Sequence, residues 1–234
     1  MNDLELALEK HSYVVEPGGK GQVNITTIAK LVDDGKSSAF AGAANKITLA
    51  GGDYRKEWKE SGEQGTRVHG YMENFLLDKP IDYRPGEEGF VKALRLFITE
   101  EDPQLIIPPE FVVVSPEHGY GGRGDLCAAL KSYGRGVWDL KSGKKYAVEH
   151  TLQLALLRFG KLAVYDDNDM LVGYKEMPEV ETAGCVYVNA DGTYTVDEYP
   201  ADEDAFAQAV ALLGVYNWTR TPEITKLRNA WRKK

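Results

Sequence analysis

Cysteine is nearly absent: Cys127 and Cys185 are the only two in 234 residues. Two thiols cannot build a disulfide framework, and Cys127, inside an apolar run, reads as a small buried residue. Long apolar runs are missing as well, since no stretch approaches the ~18 residues that a membrane span requires. Residues 1–10 are acidic and amphipathic, without a basic stretch leading into an apolar one, so no export signal and a cytoplasmic location are expected. Neither an internal repeat nor a low-complexity tract is present. Basic excess is also lacking: 28 Lys and Arg stand against 36 Asp and Glu, a formal charge of −8. That balance counts against a polyanionic partner. It is uneven, however. Acidic residues concentrate in 166–169, 176–181 and 197–204, whereas Arg135, Lys141, Lys144 and Lys145 form one basic group and Lys226, Arg228, Arg232, Lys233 and Lys234 another. The C-terminal group reads more simply as a solvated surface. With 43% hydrophobic residues, the chain has enough apolar material for one sizeable domain or a domain with an appendage.

Against that background, two aspartates stand where charge is costly. Asp125 precedes Leu126–Leu130, and Asp139 lies within Gly136–Lys141, two apolar, strand-like runs separated by Lys131–Arg135. The separation predicts a hairpin that sets both carboxylates at neighbouring strand positions. Side chains alternate along a strand, so Asp139 and Lys141 share one face and Leu140 points to the other. Two buried carboxylates facing each other require a cation between them. Their oxygens suit a hard divalent ion, Mg²⁺ or Mn²⁺, and an ammonium alongside can orient water or offset charge on a phosphate. An exposed hairpin bearing an ordinary Asp–Lys ion pair is the alternative.

Three further polar residues fall within reach in the sequence pattern. Val68, Met72, Phe75 and Leu76 follow helical spacing, and His69 and Glu73 then share an edge of that helix. Residues 146–159 predict a second helix carrying Gln153, with His150 one turn earlier. Glu110 stands just ahead of the apolar run Phe111–Val114, positioned to offer a carboxylate from an adjacent strand. His11 and His118 read as loop histidines. Tyr120 and Trp138, next to strands, read as packing residues before stacking ones.

These pieces, in this order, resemble the PD-(D/E)XK nuclease superfamily, in particular its RecB-like exonuclease branch and related phage exonucleases. The matching elements lie between residues 65 and 159: Gly65-Thr-x-x-His69, the Glu110-led strand, Gly122-x-x-Asp125, Asp139-Leu-Lys141 and the Gln153 helix. The resemblance implies a restriction-endonuclease-like α/β core and a Mg²⁺- or Mn²⁺-dependent deoxyribonuclease, an exonuclease of recombination or repair, in host cytoplasm if phage-encoded. It implies His69, Asp125, Asp139 and the backbone carbonyl of Leu140 as metal ligands. Lys141 would handle the attacking water, Gln153 would orient the site, and Glu110 corresponds to an acidic position of some relatives. Arg135, Lys144, Lys145 and His150 are the candidate nucleic-acid contacts. DNA is the implied partner, and a helicase, a single-strand annealing protein or further copies of the chain are plausible within the resemblance. The tyrosine that commonly follows the Gln by four residues is Leu157 here, and two cysteines exclude the iron–sulfur cluster some relatives carry. A non-catalytic binding protein on the same fold, or a hydrolase of small phosphate esters, remains the alternative.

The expected architecture is a single α/β domain with one mixed central sheet flanked by helices. Residues 1–62 are expected as a helical cap containing a short helix at 25–32, with glycine-rich breaks at 18–21 and 51–52. Residues 63–165 are expected as the nuclease core, including an amphipathic helix at 88–98. Residues 166–234 are expected as a hairpin (184–189 and 193–199) and helices packed on it, the last opened by Pro222.

Overall fold

A computed structural model describes residues 2–17, 19–33 and 36–231. Gly18 of the first glycine-rich break and Arg232, Lys233 and Lys234 of the basic terminus lie outside the described residues. The chain folds as mixed α/β, as the sequence pattern predicts. Its strands, however, divide between two sheets instead of forming one.

The division arises at a shared bend. Strand β3 (Gln104–Ile107) pairs with β6 (Leu126–Leu130), whereas the next strand, β4 (Phe111–Ser115), pairs with β5 (Tyr120–Gly124). Both chains therefore leave one sheet and enter the other, the first through 108–110 and the second through Asp125. Pro108 and Pro109 lack the N–H a ladder needs. Ile107 opposes Cys127 and Phe111 opposes Gly124, so residues 108–110 face only 125 and 126. The extra residue turns the strand as a bulge does. Glu110 takes a left-handed backbone conformation, φ 59°, and its N–H donates to the Asp125 carbonyl at 3.1 Å.

The six-stranded sheet runs β1 (Tyr13–Val14), β2 (Gly21–Asn24), β5, β4, β8 (Lys161–Tyr165), β9 (Leu171–Glu176). The five-stranded sheet runs β11 (Tyr194–Glu198), β10 (Thr182–Val188), β7 (Gly134–Lys141), β6, β3. Each contains one parallel pair, β2 with β5 and β7 with β10. The predicted β6–β7 and β10–β11 hairpins are present. β10 is a full neighbour of the Asp139 strand, with Cys185 opposite Asp139 and Tyr187 opposite Lys141, so residues beyond 166 build the sheet in addition to packing on it. Likewise, the N-terminal region supplies β1 and β2 to the first sheet as well as helices.

Helix α1 (Asp3–Lys10) starts in a reciprocal Asn2–Glu5 capping box. Helix α2 (Ile25–Ala29) is the predicted short helix, and the small-residue stretch after it lies in α3 (Lys36–Leu49). Asp53 caps α4 (Tyr54–Leu76), which joins the charged 53–63 segment and the His69 helix into one rod. Helix α5 (Glu88–Glu101) stops at Asp102 in a left-handed turn ahead of Pro103. In α6 (Ala147–Arg158) every residue from Leu152 to Leu157 is buried, because α2, α7 (Glu203–Trp218) and the second sheet surround it. Asp202 caps α7, and α8 (Pro222–Trp231) follows with no buried residue.

The second sheet is covered on both faces, and β7 alternates accordingly. Trp138 and Leu140 enter a core with Val68, Phe97 and Val186, beneath α4 and α5. Val137 enters the opposite core with Cys127, Leu154 and Leu156. Gly136 and Gly184 make room for the Trp138 ring, since a Cβ on either would lie 2.6 or 2.8 Å from it. That indole is fully buried and donates to the Ala128 carbonyl at 3.1 Å. A third core joins α1 to Val112 and Val114 of the first sheet.

Candidate active site

The bend between the sheets is where the polar side chains meet. Asp125 is buried at the point of crossing, and the Leu140 N–H donates to its Oδ2 at 2.7 Å. Its Oδ1 lies 3.1 Å from Nδ1 of His69, which α4 lowers onto the sheet edge from the Val68 and Met72 side of the core. Glu110, aimed by its left-handed backbone, brings a second carboxylate to the same spot. One ligand atom each from His69, Glu110 and Asp125 lie within 4.8 Å of one another. A glutamate in that backbone region costs on the order of 1 kcal/mol. The surrounding ladder holds it there.

Asp139 sits beside this triplet, buried on the α6 face of β7. Gln153 donates from Nε2 to its Oδ1 at 2.8 Å, and the Lys141 ammonium contacts its Oδ2. The same ammonium donates to Gln153 Oε1 at 3.3 Å. Helix α6 thus locks the aspartate and the lysine into one geometry through a single amide. The Arg123 guanidinium reaches Glu110 Oε2 at 2.6 Å.

Charge is crowded here. Burial alone would lower the His69 imidazole, but the charge of Asp125 and its hydrogen bond outweigh burial and push it up to about 9. Burial, then repulsion from Asp125, push Glu110 up to about 7 against the pull of Arg123. Burial also raises Asp139, with Lys141 opposing and Asp125 adding to the rise. Asp125 goes the other way: burial opposes ionisation, yet His69, Lys141 and the Leu140 N–H together hold it below the usual range. Lys141 stays charged despite burial, because Asp139 and Asp125 both face it. The rise of both Asp139 and Lys141 has one physical source. Two carboxylates face a single ammonium, and the surplus negative charge falls on Asp139. Oε2 of Glu110 and Oδ2 of Asp139 are buried, held by the ion pairs to Arg123 and Lys141. Carboxylate oxygens with one imidazole nitrogen form a donor set that fits a hard divalent cation such as Mg²⁺ or Mn²⁺.

Most of the predicted residues meet here. Glu110 stands inside the triplet, whereas both Asp139 oxygens are engaged by Gln153 and Lys141 beside it. Leu140 touches Asp125 through its amide N–H, and its side chain is fully buried on the far face, as alternation requires. The expected nucleic-acid contacts do not converge. His150 is 3% exposed, and its Nδ1 lies 2.6 Å from the Tyr187 hydroxyl in an aromatic box with Tyr146 and Tyr199. That burial corrects its expected place at the interface: the parallel β7–β10 pairing brings Tyr187 over it. Arg135 is exposed at the far end of β7, roughly 20 Å along the strand from Lys141, and contacts the Glu179 carbonyl. Lys144 is exposed, and Lys145 pairs with Asp197 above the Tyr187 ring. Tyr120 and Trp138 are fully buried, which makes them packing residues, and Leu157 fills the core. Arg123 was not foreseen. An arginine set among glycines in Gly121–Gly124 was the available signal.

No protein family matches the chain, and no curated protein matches it. Among solved structures it is similar to the crystal structure of an alkaline exonuclease from Laribacter hongkongensis, with 12% sequence identity, 91% of this chain and 94% of that chain covered, and a TM-score of 0.43. A likeness at that score carries no functional weight.

Proposed function

We propose that the chain is a divalent-metal-dependent nuclease that hydrolyses phosphodiester bonds of DNA. The observation that carries this reading is the convergence, at one bend between two sheets, of the His69–Glu110–Asp125 triplet with the hydrogen-bonded Asp139–Lys141–Gln153 set. His69, Glu110 and Asp125 would hold Mg²⁺ or Mn²⁺, with Asp139 alongside to share the charge. When bound, the cation supplies Lewis acidity toward a phosphoryl oxygen and offsets the charge of the leaving group. The rest is done by this chain. Lys141, kept protonated by its carboxylate neighbours, neutralises charge gathering on a non-bridging phosphate oxygen and aims the attacking water. Gln153 keeps that ammonium and Asp139 in register, and the Leu140 N–H fixes the Asp125 carboxylate plane. Positioning is the main task in such chemistry.

Within this reading, the sequence resemblance favours an exonuclease of recombination or repair, acting in the cytoplasm, with a helicase or an annealing protein as candidate partner. No described helix is long and apolar enough to cross a membrane. The test is incubation of pure protein with Mg²⁺ or Mn²⁺ and with end-labelled linear and closed circular DNA, single- and double-stranded. Loss of linear molecules alone identifies an exonuclease. Retention of DNA without cleavage, with Mn²⁺ binding undetectable by calorimetry, overturns the proposal in favour of a non-catalytic binder.

A further inference from the structure

We infer that Arg123 is the positioning residue of the metal site: braced against the end of helix α1, it holds the Glu110 carboxylate in place for the cation. The inference rests on the reading that His69, Glu110 and Asp125 bind that cation. The left-handed backbone of Glu110 sets where its side chain begins. Its final direction depends on what grips the carboxylate. Among the described residues, the ion pair from Arg123 Nε to Oε2, at 2.6 Å, is the one polar contact that does so. Both side chains are largely withdrawn from solvent, 26% exposed for Arg123 and 15% for Glu110. A carboxylate gripped at one oxygen presents the other, so Oε1 is the atom offered to a metal.

The surroundings of Arg123 give it no other task. It stands opposite Val112 in the β4–β5 ladder, two residues before Asp125. Its strand neighbours Gly121, Gly122 and Gly124 take Tyr13, Ile25 and Phe111 directly against their backbones, where a Cβ would collide. Between 121 and 124 the strand therefore contributes Arg123 alone. The far end of the guanidinium, Nη1, donates to the Leu8 carbonyl at 3.3 Å. That carbonyl is among the last four of α1, which have no partner inside the helix. One rigid fork thus spans a helix end and a carboxylate, which the single ammonium of a lysine does not. The guanidinium charge lies between the Glu110 carboxylate and the negative end of the α1 dipole. Its repulsion of a bound cation is largely offset there, so losing the aim of Glu110 outweighs losing that repulsion.

Mn²⁺ calorimetry on the full chain without DNA tests this. R123Q should raise the Mn²⁺ dissociation constant ~10–100-fold, the usual cost of losing a side chain that orients a ligand. R123K keeps the charge but not the fork, and should show a smaller loss in the same direction. It carries the test if circular dichroism shows R123Q unfolded. With end-labelled DNA as substrate, the Mn²⁺ concentration for half-maximal rate should rise in step with the dissociation constant, while the KM for DNA stays at the parent value. Unchanged or tighter Mn²⁺ binding in the folded variants overturns the inference and leaves the metal site standing. An equal rise in the KM for DNA also overturns it, since Arg123 would then touch DNA or support the fold at large. A parent chain that binds no Mn²⁺ overturns the inference together with the metal reading beneath it.

Discussion

At the bend between the sheets, Glu110, Asp125 and Asp139 are carboxylates withdrawn from water. At the α7–α8 end, Val215, Trp218, Leu227 and Trp231 are apolar groups left in it. Each region inverts the usual partition, and each inversion points to something that would complete it. Clustered buried carboxylates with an imidazole among them suit a metal. Large apolar side chains left exposed on consecutive helices are the kind of surface that a protein partner covers. The two also differ in how firmly they are held. The bend is fixed by ladder hydrogen bonds and by Gln153 on a helix buried throughout its Leu152–Leu157 stretch, whereas α8 buries none of its side chains. A catalytic geometry tolerates little displacement.

The largest test of this contrast is loss of function at the bend. Lys141→Ala and Asp139→Ala should each lower Mg²⁺-dependent DNA degradation by at least about 10³-fold, measured as initial rates on end-labelled linear DNA. Circular dichroism should show the fold retained. Full activity in either variant would end the nuclease assignment.

Next in size is the core that carries the bend. Trp138→Ala should cost about 3–5 kcal/mol in urea unfolding, because it empties a fully enclosed site and orphans the Ala128 carbonyl. A cost below 1 kcal/mol would mean that the strand is held by other contacts.

Smaller, and opposite in sign, is the effect of Glu110→Gln without metal. The folded protein holds this carboxyl up at about 7, above its ordinary 4.5. Its contribution to stability is therefore present below 4.5 and lost as pH rises through about 7. At pH 8 in EDTA the amide should stabilise the protein by on the order of 1 kcal/mol. It should also erase the rise in Tm that Mn²⁺ confers on the parent. An equal Mn²⁺ shift in both proteins would remove Glu110 from the metal site.

Away from the bend, Glu87 provides the contrasting carboxylate. Arg67 donates to it from two nitrogens, at 3.0 and 2.7 Å, and Tyr71 donates at 2.6 Å, so the buried group lies below its ordinary value. Here the stability is present above about 4.5 and lost as pH falls through the lower folded value. Glu87→Gln should thus lose its penalty in acid, read as convergence of the two unfolding curves near pH 3. The smallest effect belongs to the exposed end. Trp231→Ala should change the free energy of urea unfolding by no more than about 0.5 kcal/mol.

Much of the bend was legible because strands carry a strict period. Apolar runs around Lys131–Arg135 disclosed the hairpin, and alternation placed Asp139 with Lys141 and Leu140 opposite. Helical spacing around His69 and Gln153 did the same for α4 and α6. Glu110 was visible as an acid before a strand, but its left-handed turn was not, because that conformation is enforced by the ladder to Asp125 and not by local preference. His150 looked like a surface residue one turn from Gln153. Its burial depends on Tyr187 and Tyr199, which arrive from β10 and the segment beyond β11.

The sequence by itself determined which faces of β7, α4 and α6 carry polar groups, because side-chain direction follows from backbone period alone. Only the tertiary structure decided that the strands split into two sheets at Asp125, that β10 lies parallel to β7, and that His69 and Glu110 close on the same carboxylate. Those outcomes rest on pairings between distant segments and on the withdrawal of charge from water, and neither has a local signature in the chain.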